Sequence, residues 1–513
     1  MRPVAQLFSA DLEGITAHLV TVEADLNVGL HSFTIVGLAD KAVSEAKERV
    51  NSALKNSGIR PPTRENRRIT VNLAPADVRK SGSRFDLAIA LAYLLASEQL
   101  KPFDTAAYLF AGELALDGSL RPVPGVLALA LLAEARGIPN VVVPGDNAAE
   151  AAVVRAVRVI PVSTLEALIR HLEGSRPIEP APPTEVAASF PRSCATLDQI
   201  HGLHAAKRAL IVAAAGAHNV LLSGPPGTGK TMLAQAFASL LPPPTLPETL
   251  EITQIWSAAG LTNREPLIAA RPFRSPHHST SSVAVLGGGT IPRPGEISLA
   301  HRGVLFLDEL PEFHRDVLEG LRQPLEDGLI TVARAKQSLV FPARFTLIAA
   351  MNPCPCGYFE DPDRECRCTA HEVLRYQRKI SGPLLDRIDM HLDVPRTPIE
   401  ELRAHEHTGS TETDRARAVI ATARNRQLER FRGLPEPVFA NSELRSHLVD
   451  TLIELTPAAE TLVKQTLEHA FLSPRGYYRT LKVAQTIADL DGAPNVDAPH
   501  LAEAFQYRVR IGS

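Results

Sequence analysis

Read as a string of apolar and polar positions, the chain changes character near residues 173, 192 and 395. Residues 1–173 mix short strand-like runs with helix-period ones. Ile15–Val22, Ser32–Val36, Ile69–Leu73 and Asn140–Pro144 read as strands, whereas Asp40–Asn56, Phe85–Ser97 and Val123–Arg136 carry helical spacing. Their alternation predicts an α/β or α+β domain of its own. Residues 174–192 open with the proline-rich, aperiodic stretch Gly174–Thr184, which predicts a semi-rigid linker. Over residues 193–395 a helix, Ala205–Ala217, precedes three apolar strands: His218–Ser223, Gly303–Leu307 and Phe345–Ala350. Beyond Pro395 the helical period takes over in Thr413–Phe431, Ala458–Phe471, Tyr477–Leu490 and Ala498–Arg508. Leu462, Val463, Leu467, Ala470 and Phe471 stand at helical spacing in the second of these, and Leu481, Ala484 and Ile487 in the third. Residues 396–513 are therefore expected to be helical.

Chemistry enters where the first of those strands ends. Gly224, Pro225, Pro226, Gly227, Thr228, Gly229, Lys230 and Thr231 satisfy the G-x-x-x-x-G-K-[ST] pattern, and the helix-forming run Met232–Leu241 follows. The glycines let the backbone turn tightly and aim N–H groups at phosphate oxygens. The helix start adds the positive end of its dipole. Lys230 is placed to reach the β- and γ-phosphates, and Thr231 to hold Mg²⁺. The implied ligand is a nucleoside triphosphate, ATP.

Two further strand ends carry acids or amides. Gly303–Leu307 runs into Asp308 and Glu309, placing Asp308 near the Mg²⁺ on Thr231 and leaving Glu309 to polarise the attacking water. Phe345–Ala350 runs into Asn352, whose amide is placed to orient that water. In Ser381–Asp389, Arg387 is either an arginine finger supplied to a neighbouring subunit's γ-phosphate or a salt-bridge partner of Asp386 or Asp389. Ser473-Pro-Arg-Gly476 resembles the sensor-2 site of AAA+ ATPases, which implies Arg475 as a nucleotide-sensing arginine with Arg479 one turn on as its reserve; the alternative for either is a helix-face charge. The long segment between the phosphate loop and Asp308 holds Arg264, Arg271, Arg274, His277, His278 and Arg293. These residues either contact a DNA backbone or serve subunit interfaces. Cys354, Cys356, Cys366 and Cys368 form paired C-x-C units, read as a structural Zn²⁺ knuckle or as reduced thiols.

Composition narrows the classes. With 45% hydrophobic and 22% charged residues the chain is globular in type, and its length suits two to four domains at roughly 100–200 residues each. A net charge of −3 excludes a whole-chain electrostatic footprint for nucleic acid, so DNA contact must rest on local patches or a pore. One basic stretch holds Arg60, Arg64, Arg67, Arg68, Arg79, Lys80 and Arg84, either touching phosphates or forming a solvated face. Asp11 and Glu13 interrupt any leader-like core in the first 20 residues, and the apolar run Leu87–Ala96 is too short to span a bilayer. The expectation is a cytoplasmic protein with no membrane partner.

Two resemblances extend this reading. Lys80-Ser-Gly82, Gly112–Gly125 and Arg136–Pro144 resemble the proteolytic domain of the Lon family. Arg84 and Leu127 stand where that family places its serine and lysine, and no lysine occurs between Lys101 and Lys207. A Ser–Lys dyad is thereby excluded. The second resemblance covers essentially the whole chain. The phosphate loop, Arg271–Ser279, Leu286–Gly289, Pro294–His301, Leu307–Glu309, Asn352–Gly357 and Gly382–Arg387 resemble the ComM/YifB proteins. These belong to the magnesium-chelatase-like branch of AAA+ ATPases. The resemblance implies a Lon-like domain at 1–173, an AAA+ core with a parallel sheet at 193–395 and a helical lid at 396–513. It further implies a hexameric ring with ATP sites between subunits, and branch migration on single-stranded or branched DNA during recombination or natural transformation. The competing class is a chelatase-like ring that remodels a protein partner without DNA.

Overall fold

The computed structural model describes residues 5–508 apart from 65, 78, 186–188, 192–193, 263–264, 290–291, 334–337, 399–410, 436–437 and 470–472. Arg264, Ala470 and Phe471 lie outside the described residues. The chain divides into two units, residues 1–187 with 246–268, and residues 188–245 with 269–513.

The first unit is built on a seven-stranded mixed sheet. Its order is Ser32–Val36, Arg67–Ala74, Thr16–Val28, Ala5–Glu13, Tyr108–Phe110, Asn140–Pro144 and Arg158–Val162. Thr16–Val28 is antiparallel to both its neighbours, whereas Ser32–Val36 pairs parallel with Arg67–Ala74 and the strands from Ala5–Glu13 onward pair parallel. Alternation sets the buried face: Ile69, Val71 and Leu73 point inward with Val20, Val22 and Ala24. Helix Asp86–Ala96 is buried all round from Asp86 to Leu94, as its uninterrupted apolar sequence demands. The predicted helix Asp40–Asn56 is instead two, Lys41–Ser44 and Ala46–Asn56, the first capped by the Asp40 carboxylate accepting from Val43 N at 2.8 Å. The first part of the proline-rich segment lies on this unit, with Ala181 N donating to Val159 O and Thr184 N to Ala152 O.

The positions that a protease would use are structural here. Arg84 is buried, with its guanidinium 3.8 Å from Asp11. Leu127 is fully buried, and its N–H is held by the Glu150 carboxylate at 2.9 Å. Lys80 is also fully buried, its ammonium donating to Pro75 O. Of the basic stretch, Lys80 and Arg84 are thus withdrawn from any phosphate-binding surface, because both side chains are buried, Lys80 on Pro75 O and Arg84 facing Asp11.

Residues 246–268, which the sequence places in the ATPase core, fold with this first unit. Helix Leu246–Ala258 is held by Ser257, whose hydroxyl accepts from Gly125 N at 2.9 Å and donates to Glu150. Gln254 adds a donation to Ile15 O at 2.8 Å.

The second unit carries a five-stranded, all-parallel sheet in the order Phe273–Arg274, Val304–Leu307, Thr346–Met351, Val220–Ser223, Met390–Asp393. Helices His204–Gly216 and Lys230–Leu240 and the C-terminal helices Glu412–Arg430, Pro474–Asp491 and Ala498–Gln506 share its core. The helical region is fastened by polar links as well as packing. Arg424 and Gln427 donate to Ala214 O and Ala215 O, satisfying carbonyls at the end of helix His204–Gly216. A separate antiparallel hairpin, Leu329–Ala333 with Ser338–Pro342, intervenes between the second and third strands in sequence and was not foreseen. Among the described residues no helix is long and apolar enough to cross a membrane.

Candidate nucleotide site

The phosphate loop leaves the sheet between the strands ending in Asn352 and Asp393. Gly224 is required by space: a Cβ there would lie 2.2 Å from Val394 O. Gly227 and Gly229 are required by conformation, with φ of 81° and 84°. Helix Lys230–Leu240 begins immediately, anchored by Leu233, Ala234, Phe237 and Leu240. Lys230 is 9% exposed, and its Nζ donates to Gly224 O at 2.7 Å, Pro225 O at 2.8 Å and Asn352 Oδ1 at 3.2 Å. Burial lowers its pKa, opposed by the Asp308 carboxylate.

Thr231 Oγ1 donates to Asp308 Oδ2 at 3.0 Å, although the residues are 77 apart in sequence. That separation suits two adjacent ligands of one octahedral Mg²⁺, whose metal–oxygen distances of about 2.0–2.1 Å put neighbouring oxygens about 3 Å apart. Thr231 and Asp308 therefore fit the ion that the loop implies. Asp308 follows the fully buried strand Val304–Leu307, and Glu309 sits in the left-handed region at φ 53°. A non-glycine residue there is strained. The Glu309 carboxylate lies 3.2 Å from His278 Nδ1. The strand ending at Asn352 runs between the strands that carry the phosphate loop and Asp308. One sheet edge thus brings Lys230, Thr231, Asp308, Glu309 and Asn352 together.

Arg387 and Arg475 form a second cluster. Arg387 is buried, donating to Pro383 O at 2.8 Å and to Glu326. Arg475 reaches the other oxygen of the same carboxylate at 2.9 Å. Glu326, on helix Arg322–Asp327, is the residue that the sequence reading missed; no local pattern marks a single carboxylate shared by distant arginines. Arg479, the reserve position, is partly buried and donates to Asp389 and to Arg387 O. Opposing the cost of burial, Arg479 and His218 hold the Asp389 carboxyl far below the usual range.

The expected DNA contacts fall elsewhere. Arg271 donates to Pro242 O at 2.6 Å and Arg302 O at 2.7 Å, and Arg274 makes a two-pronged pair with Glu296 at 2.5 and 2.7 Å. A phosphate at either would have to compete with these partners. His277 lies against His278 and exchanges a hydrogen bond with Ser279 at 2.8 Å.

The four cysteines come together. Cys354 Sγ is 3.4 Å from Cys356 Sγ and 3.7 Å from Cys366 Sγ, Cys356 and Cys366 are 3.6 Å apart, and all four sulfurs lie within 4.8 Å of one another. Disulfide bonding, at about 2.05 Å, is excluded by these distances. Tetrahedral Zn²⁺ with Zn–S of about 2.3 Å needs S···S near ~3.8 Å, so the donor set fits. Burial raises the Cys356 thiol, but hydrogen bonds from the Arg367 and Tyr358 backbone and from Cys354 and Cys368 together outweigh it and bring it to about 6. Despite a hydrogen bond from the Cys356 backbone, the Cys368 thiol is pushed up to about 12 by burial and by the Cys356 and Cys354 side chains. A thiolate is the form a metal binds.

A parallel sheet with this phosphate loop, acid pair and C-terminal helical region defines the magnesium-chelatase-like class of AAA+ proteins. Family models agree along the chain: subunit ChlI of Mg-chelatase over residues 22–147, magnesium chelatase subunit ChlI over 196–402, and its C-terminal part over 410–508. A YifB protein of Salmonella typhimurium is 43% identical over 495 residues, covering 96% of this chain and 95% of its own. Competence protein ComM of Haemophilus influenzae is 42% identical over 511 residues, covering 99% and 98%. The magnesium-chelatase 67 kDa subunit of Chlorobaculum parvum is 28% identical over 209 residues, 40% of this chain and 27% of its own. The chain belongs to the ComM/YifB family of magnesium-chelatase-like AAA+ proteins.

Proposed function

We propose that this protein is an ATP-driven DNA motor of the ComM type, hydrolysing ATP at subunit interfaces of a ring and moving branch points in recombining DNA. The observation that carries the hydrolysis is the convergence of Lys230 on Asn352 and of Thr231 on Asp308 across one sheet edge. In this reading Gly224–Thr231 cradle the phosphates, and Thr231 with Asp308 hold Mg²⁺, which supplies charge neutralisation on the transferring phosphoryl group. Glu309 takes the proton of the attacking water, Asn352 orients that water, and Arg387 acts on a neighbour's γ-phosphate, with Arg475 sensing the nucleotide. Cys354, Cys356, Cys366 and Cys368 hold a structural Zn²⁺. The DNA part is supported by near full-length similarity to a competence protein. DNA contact is proposed for the segment holding Arg271, Arg274, His277 and His278, and the hairpin joined by residues 334–337 adds Arg334 and Lys336 in sequence.

A second reading, a ring that remodels a protein partner, is favoured by the net charge of −3 and by similarity to a magnesium-chelatase subunit. An ATPase assay with and without forked DNA, followed by displacement of a labelled strand, separates the two. The expected result is stimulation and displacement, both abolished by Lys230→Ala. Hydrolysis indifferent to DNA, with no displacement, selects the protein-remodelling reading.

A further inference from the structure

The cysteine knuckle is inserted at the tip of the strand that ends in Asn352, and its first turn touches the phosphate loop at both ends. At the near end Asn352, two residues before Cys354, accepts from Lys230 Nζ at 3.2 Å. At the far end Gly357, one residue after Cys356, lies against Pro226: a Cβ on Gly357 would be 2.7 Å from Pro226 Cδ and 3.2 Å from its Cγ. Gly357 closes that turn by donating to Cys354 O at 3.0 Å, and its φ of 85° forbids most side chains as firmly as the contact does. Cys354 is fully buried, so the turn is rooted in the unit.

The second cysteine pair ties the same turn to a helix. Thr369 follows Cys368 directly and caps helix Ala370–Gln377 through a reciprocal box with Glu372. The last residue of that helix, Gln377, returns to Pro353 O at 3.2 Å. The acidic span from Phe359 to Glu365 joins the two pairs without a strand or helix of its own and is exposed except at Asp361, whose buried carboxylate lies 3.4 Å from Arg396. The sulfur atoms thus form a second fastening, beside the Gln377 hydrogen bond, between the turn on the phosphate loop and the helix behind it.

From this geometry we infer that a thiophilic divalent ion, Zn²⁺, on Cys354, Cys356, Cys366 and Cys368 braces the phosphate loop through Pro226 and Asn352, making nucleotide affinity depend on the metal. The inference rests on the metal-site reading of the four thiols and adds a consequence to it. With the ion bound, the first turn cannot spread, so Gly357 keeps Pro226 in place and Asn352 keeps the Lys230 ammonium oriented. Without it, the turn is left to thiol contacts, the Gly357 and Gln377 hydrogen bonds and the Asp361–Arg396 ion pair at 3.4 Å, and loop positions that must match phosphate oxygens to a fraction of an ångström are held less tightly.

The test uses full-length protein. Metal content is measured by elemental analysis, zinc is stripped with a chelator that is then removed, and binding of a fluorescent ADP analogue is titrated in excess Mg²⁺ before stripping, after stripping, and after re-adding Zn²⁺ alone. One zinc per chain is expected, with affinity on the order of tenfold weaker after stripping and restored by Zn²⁺. Gly357→Ala is expected to keep its zinc and still weaken the nucleotide to a similar degree. Zinc that is present but whose removal shifts affinity less than about twofold overturns the brace while leaving the metal site standing. Protein that neither carries zinc nor takes it up overturns the metal site and the brace with it.

Discussion

At the scale of single residues, the sharpest contrast is between contacts made along the chain and contacts made across it. Gly224–Thr231 is legible from sequence because each residue's role follows from its immediate neighbours: glycines where φ is positive or space is absent, and a lysine at the first helical position. Glu326 is invisible by the same logic, because its partners Arg387 and Arg475 lie 61 and 149 residues away. Its importance differs for the two arginines. The Arg387 side chain is 11% exposed and that of Arg475 is 58% exposed. Glu326→Ala leaves the mostly buried Arg387 with only Pro383 O as partner among the described residues and, because the lost carboxylate is itself 42% exposed, is expected to cost about 1–2 kcal/mol of stability. Arg475→Ala removes an exposed pair and is expected to cost less than about 1 kcal/mol. Thermal denaturation of the two variants side by side checks this; equal losses would show that burial does not govern the cluster.

Elements show where apolar periodicity suffices and where polar burial hides it. Helix Pro474–Asp491 encloses the expected Tyr477–Leu490, because Ser473 caps its start and Gly492 ends it in the left-handed conformation. Strand Ala5–Glu13 escaped notice because Ser9 and Asp11 occupy its buried face. Arg158–Val162 escaped because Pro161 lies in it, tolerated on an edge strand. The same habit of burying polar groups gives the second unit a pH dependence. Burial, helped by Arg508, lowers the pKa of His391 to about 4, and burial also lowers that of His218 despite Asp389. Both are neutral in the fold, whereas the unfolded chain takes up their protons near pH 6.5. Stability is therefore full above about pH 6.5 and is lost as pH falls toward about 4, with His391 contributing on the order of 3 kcal/mol. Asp389, held far below the usual range, adds nothing to the slope in that window. Denaturant unfolding at pH 7 and pH 5 should show the loss, and His391→Gln should flatten it. An unchanged slope in that variant would rule His391 out as a source.

At the scale of the molecule, residue spacing predicted a phosphate loop between a strand and a helix, and the family resemblance a parallel sheet around it, both of which are present. Neither had a means of showing that the chain leaves that unit and returns. Sequence order makes Leu246–Ile268 look like part of the stretch between phosphate loop and acid pair. What assigns it to the first unit is a hydroxyl, Ser257, meeting Gly125 and Glu150 more than 100 residues earlier.

That excursion means no single cut separates the two units. The backbone changes unit after residues 187, 245 and 268. A fragment beginning at residue 188 would keep helix Leu246–Ala258 but lose the apolar core on which Leu250 packs and the Gly125, Glu150 and Ile15 partners of Ser257 and Gln254. Such a fragment is expected to aggregate, whereas the same fragment with residues 246–268 replaced by a short Gly/Ser linker should stay soluble on size-exclusion chromatography. In evolutionary terms, neither unit could be shed or exchanged by trimming one end of the gene, and a recombination event that swapped the first unit would have to bring a compatible helix into the middle of the second.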